Sequence, residues 1–210
     1  MLENISQDRI KSALDSHISI PEGTTHQSSV LMPIVKTENG YEFIFCRRSM
    51  ALKHQPGDVC FPGGSREGSE SPVETALRET EEEIGIGPEN IKVLGETDFV
   101  VSISGAVIYS FVGMLDGKGL SDIKINGDEV EEVFTVPVQF FIDNEPEIHY
   151  VDARLDIPDD FPFEYIVGGK NYKWGKGQQA EMFYFYNGHI IWGFTARIVK
   201  NFCSIIEGKI

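Results

Sequence analysis

The densest group of chemically active side chains in this 210-residue chain is a run of carboxylates at Glu79, Glu82 and Glu83. Residues three and four positions apart lie on the same side of an α-helix, so a helical segment would gather these carboxylates into one patch. Like charges at this spacing cost a helix roughly a few tenths of a kcal/mol per pair, and a divalent cation would relieve that repulsion. Hard oxygen donors suit Mg²⁺ or Mn²⁺, which commonly bind phosphate groups and water as well. The run therefore predicts a metal site that handles phosphate chemistry.

The residues around the carboxylates predict the helix that such a patch requires. Ser71 can cap its start, with Glu74 completing a capping box, and Gly85 can end it. Apolar residues follow at helical spacing, at Val73, Ala76, Leu77, Thr80 and Ile84. Arg78 stands one turn after Glu74 and one turn before Glu82, so we expect it to brace both carboxylates.

A glycine pair, Gly63-Gly64, lies just before this helix and follows Phe61-Pro62. Glycine lets the backbone approach a ligand closely because it has no Cβ, and a carbonyl of either glycine is a candidate additional metal ligand. Glu70 is expected to support this loop rather than the chemistry. An acidic helix by itself is usually only a solvated surface. A solvated surface does not account for the glycine pair, so we favour a functional site.

Residues Gly64 to Ile86 stand in the order and spacing of the Nudix box, G-x5-E-x7-R-E-U-x-E-E-x-G-U, where U is a bulky aliphatic residue. Thr80 occupies the first U and is the one departure. Because Thr80 falls on the apolar stripe, its methyl group can pack while its hydroxyl bonds within the helix. The chain thus resembles the Nudix hydrolases. The resemblance implies an α/β fold, a Nudix-type α/β/α sandwich with a mixed β-sheet, and metal-dependent hydrolysis of a diphosphate linked to another moiety.

The segment before the box is similar to the extra signature of the coenzyme A diphosphatase branch, R-[SA]-x3-R-x3-G-x3-F-P-G-G. Arg48-Ser49, Gly57 and Phe61 to Gly64 match in place. Lys53 stands where arginine is expected, which keeps the charge but loses a planar fork of donors. Ile44 to Cys46 also depart from the Leu-Leu-Thr that precedes the signature. The resemblance implies cleavage of coenzyme A, or acyl-CoA, to 3′,5′-ADP and (acyl-)4′-phosphopantetheine.

The ligand types predict a division of roles among the acidic residues. Glu79 and Glu83 would hold Mg²⁺ or Mn²⁺, with Glu82 sharing that ion or holding a second one, and a carbonyl such as that of Gly63 completing the set. The ion would polarise the phosphoryl oxygens and lower the pKa of the attacking water, and Arg78 would complete the catalytic group. Glu82 is the first candidate for the general base. The resemblance adds a second from outside the box, Glu129, with Glu131 and Glu132 as its neighbouring competitors.

Basic side chains near the glycine pair are the predicted substrate contacts, because phosphate recognition favours arginine forks. They are Arg47, Arg48, Lys53 and Arg66. His54 is expected to be an ordinary surface histidine. Among the aromatic residues, Trp192 is expected in the core, whereas Tyr172 and Trp174 could either pack or stack on adenine.

The composition, 41% hydrophobic and 24% charged, predicts one globular domain over residues 1–210. A formal net charge of −15 argues against a nucleic-acid partner and requires local cations to attract an anionic substrate. There is no apolar run of membrane-spanning length, no signal-peptide pattern and no metal or disulfide spacing among three cysteines. We therefore expect a cytoplasmic protein that acts on a small nucleotide diphosphate without membrane contact. Many Nudix proteins dimerise, so the resemblance also allows a homodimer.

The hydrophobic periodicity predicts alternating helices and strands. An amphipathic helix is expected at about residues 1–20 and a final helix at about 195–206. Strands are expected at 29–37, 42–47, 58–61, 91–94, 97–104, 106–114, 147–153, 183–186 and 189–192, with a strand or short helix at 129–136. The first two strands flank a hairpin turn at 38–40, and the glycine-rich stretch 168–177 is expected to be a loop.

Three other functions remain open at this point. The first is Nudix hydrolysis of ADP-ribose, a nucleotide sugar or a dinucleotide, against which the upstream signature argues. The second is a non-catalytic nucleotide-binding sensor, against which the retained Glu79, Glu82 and Glu83 argue. The third is a structural or scaffold protein, which leaves the glycine pair unexplained.

Overall fold

The computed structural model describes residues 5–17, 21–24, 26–38, 40–115 and 120–210. Within these ranges the α-helices are α1 (Gln7–Asp15), α2 (Pro72–Ile84), α3 (Val138–Asp143) and α4 (Gly193–Ile206). The strands are β1 (His26–Thr37), β2 (Gly40–Arg48), β3 (Val59–Cys60), β4 (Gly63–Ser65), β5 (Ile91–Glu96), β6 (Val100–Val101), β7 (Ala106–Leu115), β8 (Val130–Pro137), β9 (Glu147–Ala153), β10 (Gly177–Tyr186) and β11 (His189–Trp192). Short 3₁₀-helices occupy Pro88–Asn90, Leu120–Asp122, Phe163–Tyr165 and Gly169–Asn171.

The main sheet is mixed, as predicted. Its strand order is β3-β2-β1-β7-β5, with β4 paired to β1, β6 to β7 and β8 to β2. β1 and β7 run parallel, whereas β1 and β2 form an antiparallel hairpin that pairs Thr37 with Gly40. This pairing confirms the predicted hairpin, although Asn39 in its turn lies outside the described residues.

Both faces of the main sheet are buried, which explains why its central strands are apolar at nearly every position. On β2, Phe43 and Phe45 face a core shared with α3 and α4. Ile44 and Cys46 face the opposite core, which α2 covers. The alternation follows from the two-residue period of a strand. It produces the predicted α/β/α sandwich, with α2 on one side of the sheet and α3 and α4 on the other.

The ends of α2 form as the sequence predicts. The Ser71 hydroxyl accepts a hydrogen bond from the Glu74 N–H, and the Glu74 carboxylate accepts one from the Ser71 N–H at 2.8 Å. Gly85 ends the helix in a left-handed conformation with φ 71°. Thr80 is fully buried, and its hydroxyl donates to the Ala76 carbonyl at 2.6 Å. The single departure from the Nudix box is therefore accommodated in the core.

A second, three-stranded sheet was not expected as a separate unit. Its order is β11-β10-β9, and it includes the predicted terminal hairpin, in which Tyr184 pairs with Ile191. Both residues are buried in the core on the α4 side. β10 begins at Gly177, six positions before its predicted start at 183, because it pairs with β9 from Ala153 onward. The extension was missed because its residues do not alternate between apolar and polar types.

Two predicted element boundaries are wrong. The stretch 97–104 is not one strand: only Val100–Val101 pairs with β7, since the chain turns tightly where the Gly105 N–H donates to the Ser102 carbonyl at 3.1 Å. The N-terminal helix covers Gln7–Asp15 rather than about 1–20, and none of its residues is buried. Residues 1–4 and 18–20 of that predicted helix lie outside the described residues. In the part of the chain with described placement, no helix is long and apolar enough to cross a membrane.

Candidate active site

One arginine holds the box carboxylates against the glycine loop. Arg78 Nε donates to Glu70 Oε1 at 2.8 Å, and Arg78 Nη1 lies 2.9 Å from Glu79 Oε1 and 3.0 Å from Glu82 Oε2. Its Nη2 also donates to the Ser65 carbonyl at 3.0 Å. A single guanidinium thus links the start of the loop to two turns of α2.

The hydrogen-bond partners of Arg78 correct the expected contact with Glu74 and support the expected role of Glu70 in the loop. Arg78 does not brace Glu74, because the Glu74 carboxylate closes the capping box with Ser71. Glu70 takes that place. The hydrogen bond from Arg78, with others from the Glu67 N–H and the Thr75 hydroxyl, lowers the pKa of Glu70 to about 2. Glu70 therefore remains ionised and supports the loop, as the sequence indicates.

Glu83 is the most deeply buried carboxylate of the site. Glu83 is 3% exposed, and its carboxylate accepts a hydrogen bond from the Gly63 N–H at 3.3 Å. Burial raises the pKa of Glu83 to about 8, and the charges of Glu79 and Glu129 add to the rise against the opposing hydrogen bond from Gly63. Burial also raises the pKa of Glu79, opposed by Arg78. The ionised forms of Glu79 and Glu83 are thus disfavoured, and a bound cation would stabilise them.

Both glycines of the loop are required by close contacts. A Cβ on Gly64 would lie 2.4 Å from the carboxyl carbon of Glu79. A Cβ on Gly63 would lie 2.3 Å from the carbonyl oxygen of Ser29, on the strand that β4 joins. Gly64 thus lets the Glu79 carboxylate rest against the loop backbone, and Gly63 lets the loop join the sheet. The absent side chains of the glycine pair therefore make room for other parts of the protein, rather than for a ligand as the sequence suggested.

The buried oxygen donors fit a hard divalent cation. Within the described ranges no three His, Cys, Asp or Glu side chains form a ready-made metal cluster. In the structure Glu79 and Glu82 both contact Nη1 of Arg78, and the side chain of Glu82 is 53% exposed. Glu79, Glu82 and Glu83 would hold an ion by exchanging this contact for it. A bound ion would supply charge neutralisation and Lewis acidity at a diphosphate.

Glu129 joins the box carboxylates although it lies far from them in sequence. Its charge raises the pKa of both Glu79 and Glu83, and its carbonyl accepts a hydrogen bond from the Ser49 N–H at 2.8 Å. Glu131 and Glu132 point to Arg47 instead, at 3.4 and 2.9 Å. Of the three candidates outside the box, the fold brings Glu129 to the site and directs the other two to a surface ion pair.

The predicted basic contacts have different surroundings. Arg47 is occupied by its glutamate partners, whereas Arg48 lines a cavity and its buried Nε has no hydrogen-bond partner among the residues that the structure describes. The two arginines are neighbours on β2, so the alternation of side chains along a strand sends them in opposite directions. Arg66 donates to Gln27 Oε1 at 2.9 Å and to the Glu70 carbonyl. Lys53 is exposed on the loop after β2, as is His54. The substrate roles of these four cations stay predictions.

The cavity beside the glycine loop has a volume of about 380 Å³. Gly63, Gly64 and Arg48 line one wall, and Gln179 and Glu181 of β10 line the wall opposite. The sequence analysis missed Gln179 and Glu181, because a predicted strand starting at 183 leaves them in a loop. No pattern in the sequence connects β10 to the glycine pair.

Trp192 also lines this cavity, so its assignment to the core is wrong. It is 40% exposed, stacks parallel to Phe183 at 5.7 Å, and donates from Nε1 to Asp58 Oδ1 at 3.3 Å. Trp174 and Tyr172, which the sequence left undecided, pack edge to face against each other at 5.1 Å.

Comparison with known proteins agrees with this geometry. A family model described as the NUDIX domain matches residues 25–155, which include the glycine loop, α2 and Glu129. The chain belongs to the Nudix family. Members of this family generally need a divalent metal ion such as Mg²⁺ or Mn²⁺.

Several Nudix proteins resemble this chain. It is 36% identical over 136 residues to the peroxisomal coenzyme A diphosphatase NUDT7 of Mus musculus, a match that covers 64% of this chain and 54% of that protein. It is 30% identical over 192 residues to the uncharacterized Nudix hydrolase NudL of Pectobacterium atrosepticum, covering 90% and 87%. The match to Nudix hydrolase 3 of Caenorhabditis elegans covers 48% of that protein, so this chain spans about half the length of two of its curated relatives.

A solved structure shows the same fold over most of the chain. The MutT/nudix family protein from Enterococcus faecalis superposes with a TM-score of 0.51 and 15% sequence identity, covering 97% of this chain and 70% of that one. At this identity the likeness concerns the fold, and it agrees with the α/β architecture of this Nudix chain.

Proposed function

We propose that this Nudix protein hydrolyses the diphosphate of coenzyme A, or of acyl-CoA, to 3′,5′-ADP and (acyl-)4′-phosphopantetheine with Mg²⁺ or Mn²⁺. The observation that carries the proposal is one cavity lined by Arg48, Gly63 and Gly64 beside the buried carboxylate Glu83 and the partly buried carboxylate Glu79. Arg48 and the glycine pair are also matching positions of the upstream signature. The similarity to the mouse coenzyme A diphosphatase supports the same substrate class.

In this proposal the glycine loop and Arg48 bind the diphosphate. Gly63 and Gly64 line the cavity, so the loop backbone can meet a phosphate oxygen there. Arg48 Nε is buried and has no partner among the described residues, and such a donor gains most from a charged acceptor. Glu79, Glu83 and Glu82 would hold the ion, Glu82 by exchanging its contact with Arg78 for it. The cations needed to bind an anion to a chain of net charge −15 are thus concentrated at one point.

Glu129 is proposed as the general base that takes the proton from the attacking water. It lies close enough to raise the pKa of Glu79 and Glu83, so it faces the same space. Glu82, the first candidate from sequence, has its charge paired with Arg78 at 3.0 Å. Because Arg78 occupies this carboxylate, Glu82 is assigned to the metal-binding group rather than to the base.

The surroundings of the protein form part of the proposal. The thiols of Cys46, Cys60 and Cys203 are free, which suits a reducing compartment such as the cytoplasm. The substrate is a small nucleotide derivative, and a homodimer is the proposed assembly. Light scattering on the purified protein gives the molar mass that tests the assembly.

A substrate panel tests the proposed function. Coenzyme A, ADP-ribose, NADH and a nucleoside triphosphate are each incubated with Mg²⁺ or Mn²⁺, and products are identified by mass spectrometry. We expect the highest kcat/KM for coenzyme A, with 3′,5′-ADP and 4′-phosphopantetheine as products. A higher kcat/KM for ADP-ribose or NADH would replace the substrate assignment. Nucleotide binding without any turnover would favour the sensor instead.

A further inference from the structure

A carboxylate lies in the wall of a cavity that is proposed to receive a polyanion. Glu181 lines this cavity opposite Arg48 and the glycine pair, and Asp58 lies on the same cavity. Neither carboxylate belongs to the metal-binding group. An acidic side chain at this position repels phosphate, so it calls for a ligand group of a different kind.

The position of Glu181 is fixed by its own strand. Gln179 and Glu181 are two positions apart on β10, so their side chains point to the same face of the second sheet. The Gln179 amide donates to Glu181 Oε1. In the described part of the chain, the Gln179 amide is the hydrogen-bond donor to the Glu181 carboxylate. The other carboxylate oxygen, Oε2, is therefore left to accept a hydrogen bond from a ligand.

The chemistry of this wall selects an uncharged group with N–H or O–H donors. An ionised carboxylate is only an acceptor, and a phosphate group is an acceptor with the same sign of charge. Apolar side chains complete the surroundings, at Val30, Ile108, Phe194 and Ile198. The group that fits combines hydrogen-bond donors with apolar carbon atoms.

We propose that Glu181, held by Gln179, is a specificity-determining residue that binds the pantetheine half of the substrate. This inference rests on the proposed function. Pantetheine is uncharged and carries two amides, a hydroxyl and a geminal dimethyl group. The 3′-phosphate of coenzyme A stands on the ribose, between the diphosphate and adenine. A nucleoside in the cavity would place this phosphate between the glycine loop and the wall of Glu181, so the nucleoside stays outside.

Binding of the two separate products tests the inference. Calorimetry is run with 4′-phosphopantetheine and with 3′,5′-ADP on the wild type, Glu181→Ala and Glu181→Gln. We expect Glu181→Ala to weaken 4′-phosphopantetheine about tenfold, the usual scale for losing a hydrogen bond to a charged group, and to leave 3′,5′-ADP unchanged. Glu181→Gln keeps the size and one acceptor, so its loss is smaller.

Kinetics provide a second measurement on the same variants. The KM for coenzyme A should rise in Glu181→Ala while kcat stays near the wild-type value, because the contact is equal in the ground and transition states. The KM for dephospho-CoA, which lacks the 3′-phosphate, should rise by the same factor. Glu147→Gln is the matched control: Glu147 lies on the same face of the second sheet, opposite Phe183, and its side chain is 59% exposed. This control should bind and turn over like the wild type.

Two binding results would overturn the inference. One is weaker binding of 3′,5′-ADP with unchanged binding of 4′-phosphopantetheine, which would place the nucleoside in the cavity. The other is unchanged binding of both products in Glu181→Ala and Glu181→Gln. Coenzyme A cleavage by the wild type with an unchanged KM in the variants would refute this inference alone. A wild type that cleaves ADP-ribose but not coenzyme A would refute the proposed function, and with it the assignment of Glu181.

Discussion

The two walls of the cavity are built in different ways. The glycine-loop wall comes from one continuous segment, in which Arg78 joins Glu70, Glu79 and Glu82. The opposite wall comes from β10, β11 and α4, which lie more than a hundred positions further along the chain. Two hydrogen bonds connect the walls, from Trp192 to Asp58 and from Thr195 to the Val59 carbonyl, across sequence separations of 134 and 136.

The walls also differ in charge chemistry. The glycine-loop wall holds carboxylates whose pKa is raised by burial, with Arg78 beside them. The opposite wall presents amide, aromatic and aliphatic groups with the carboxylate of Glu181. The difference suggests a division of labour in which the local wall supplies the reaction and the remote wall supplies recognition. Substitutions should therefore change turnover in the first wall and KM in the second.

The largest effect is expected from Glu83→Gln, which removes the charge of the buried ligand. Turnover with saturating Mg²⁺ should fall roughly a hundredfold to a thousandfold, since a metal contributes several kcal/mol to the transition state. The fold should persist, because the amide keeps the size and can still accept from the Gly63 N–H. Activity assays measure the turnover, and thermal melting measures the stability of the fold. Near-normal turnover with an unchanged melting temperature would remove Glu83 from the metal site.

Glu129→Gln should produce the next largest loss, roughly a hundredfold in kcat, the lower end of the usual contribution of a general base. Glu82→Gln should cost less, because Glu82 is paired with Arg78 at the exposed edge of the site. The pH profile of kcat for both variants identifies the base. The variant that lacks the base should lose the rise of kcat on the acidic side of the profile. If Glu82→Gln had the larger effect and lost that rise, the base would be Glu82.

Gly64→Ala should show whether the loop backbone positions the Glu79 carboxylate, because this substitution leaves the charge of Glu79 unchanged. The new Cβ would meet the Glu79 carboxyl group at 2.4 Å, so the carboxylate must move. Metal affinity, measured by calorimetry with Mn²⁺, should fall about tenfold, as expected when a ligand loses its correct orientation.

Gly95→Ala is the control for this experiment, since nothing lies within 4 Å of a Cβ placed there. Equal metal affinity of Gly64→Ala and Gly95→Ala would mean that the loop does not position Glu79.

The adjacent arginines should differ although they are neighbours in sequence. Arg48→Ala should raise the substrate KM about tenfold, because it removes a charged donor from the cavity. Arg47→Ala should change KM little, since it breaks only a partly exposed ion pair with Glu132. The two KM values are measured with the preferred substrate of the panel. Equal changes would contradict the separation that the structure shows between these side chains.

The smallest effect concerns stability of the metal-free protein. The native pKa of Glu83 is raised to about 8 from an ordinary value of 4.5, so the native state binds the proton more tightly than the unfolded chain. Its contribution to stability is therefore full below 4.5 and is lost as pH rises through about 8. Melting curves at several pH values should show this decline, and Glu83→Gln should lack it. A metal-free wild type with the same pH dependence as Glu83→Gln would refute the shift.

The sequence predicted the parts of the site that depend on near neighbours. The capping box of Ser71 and Glu74, the end of α2 at Gly85 and the burial of Thr80 are all confirmed. Each depends on contacts within one or two helical turns, which the order of residues specifies directly. The box carboxylates could be placed on one face of α2 for the same reason.

The tertiary structure decided what depends on strand pairing. The pairing of β2 with β8 places Glu131 and Glu132 beside Arg47, whereas Arg48 is left to line the cavity. The pairing of β10 with β9 brings Gln179 and Glu181 to the wall facing the glycine pair. The sequence could not provide these placements, because a shift of one residue in register reverses every side chain of a strand and the partners lie far apart in the chain.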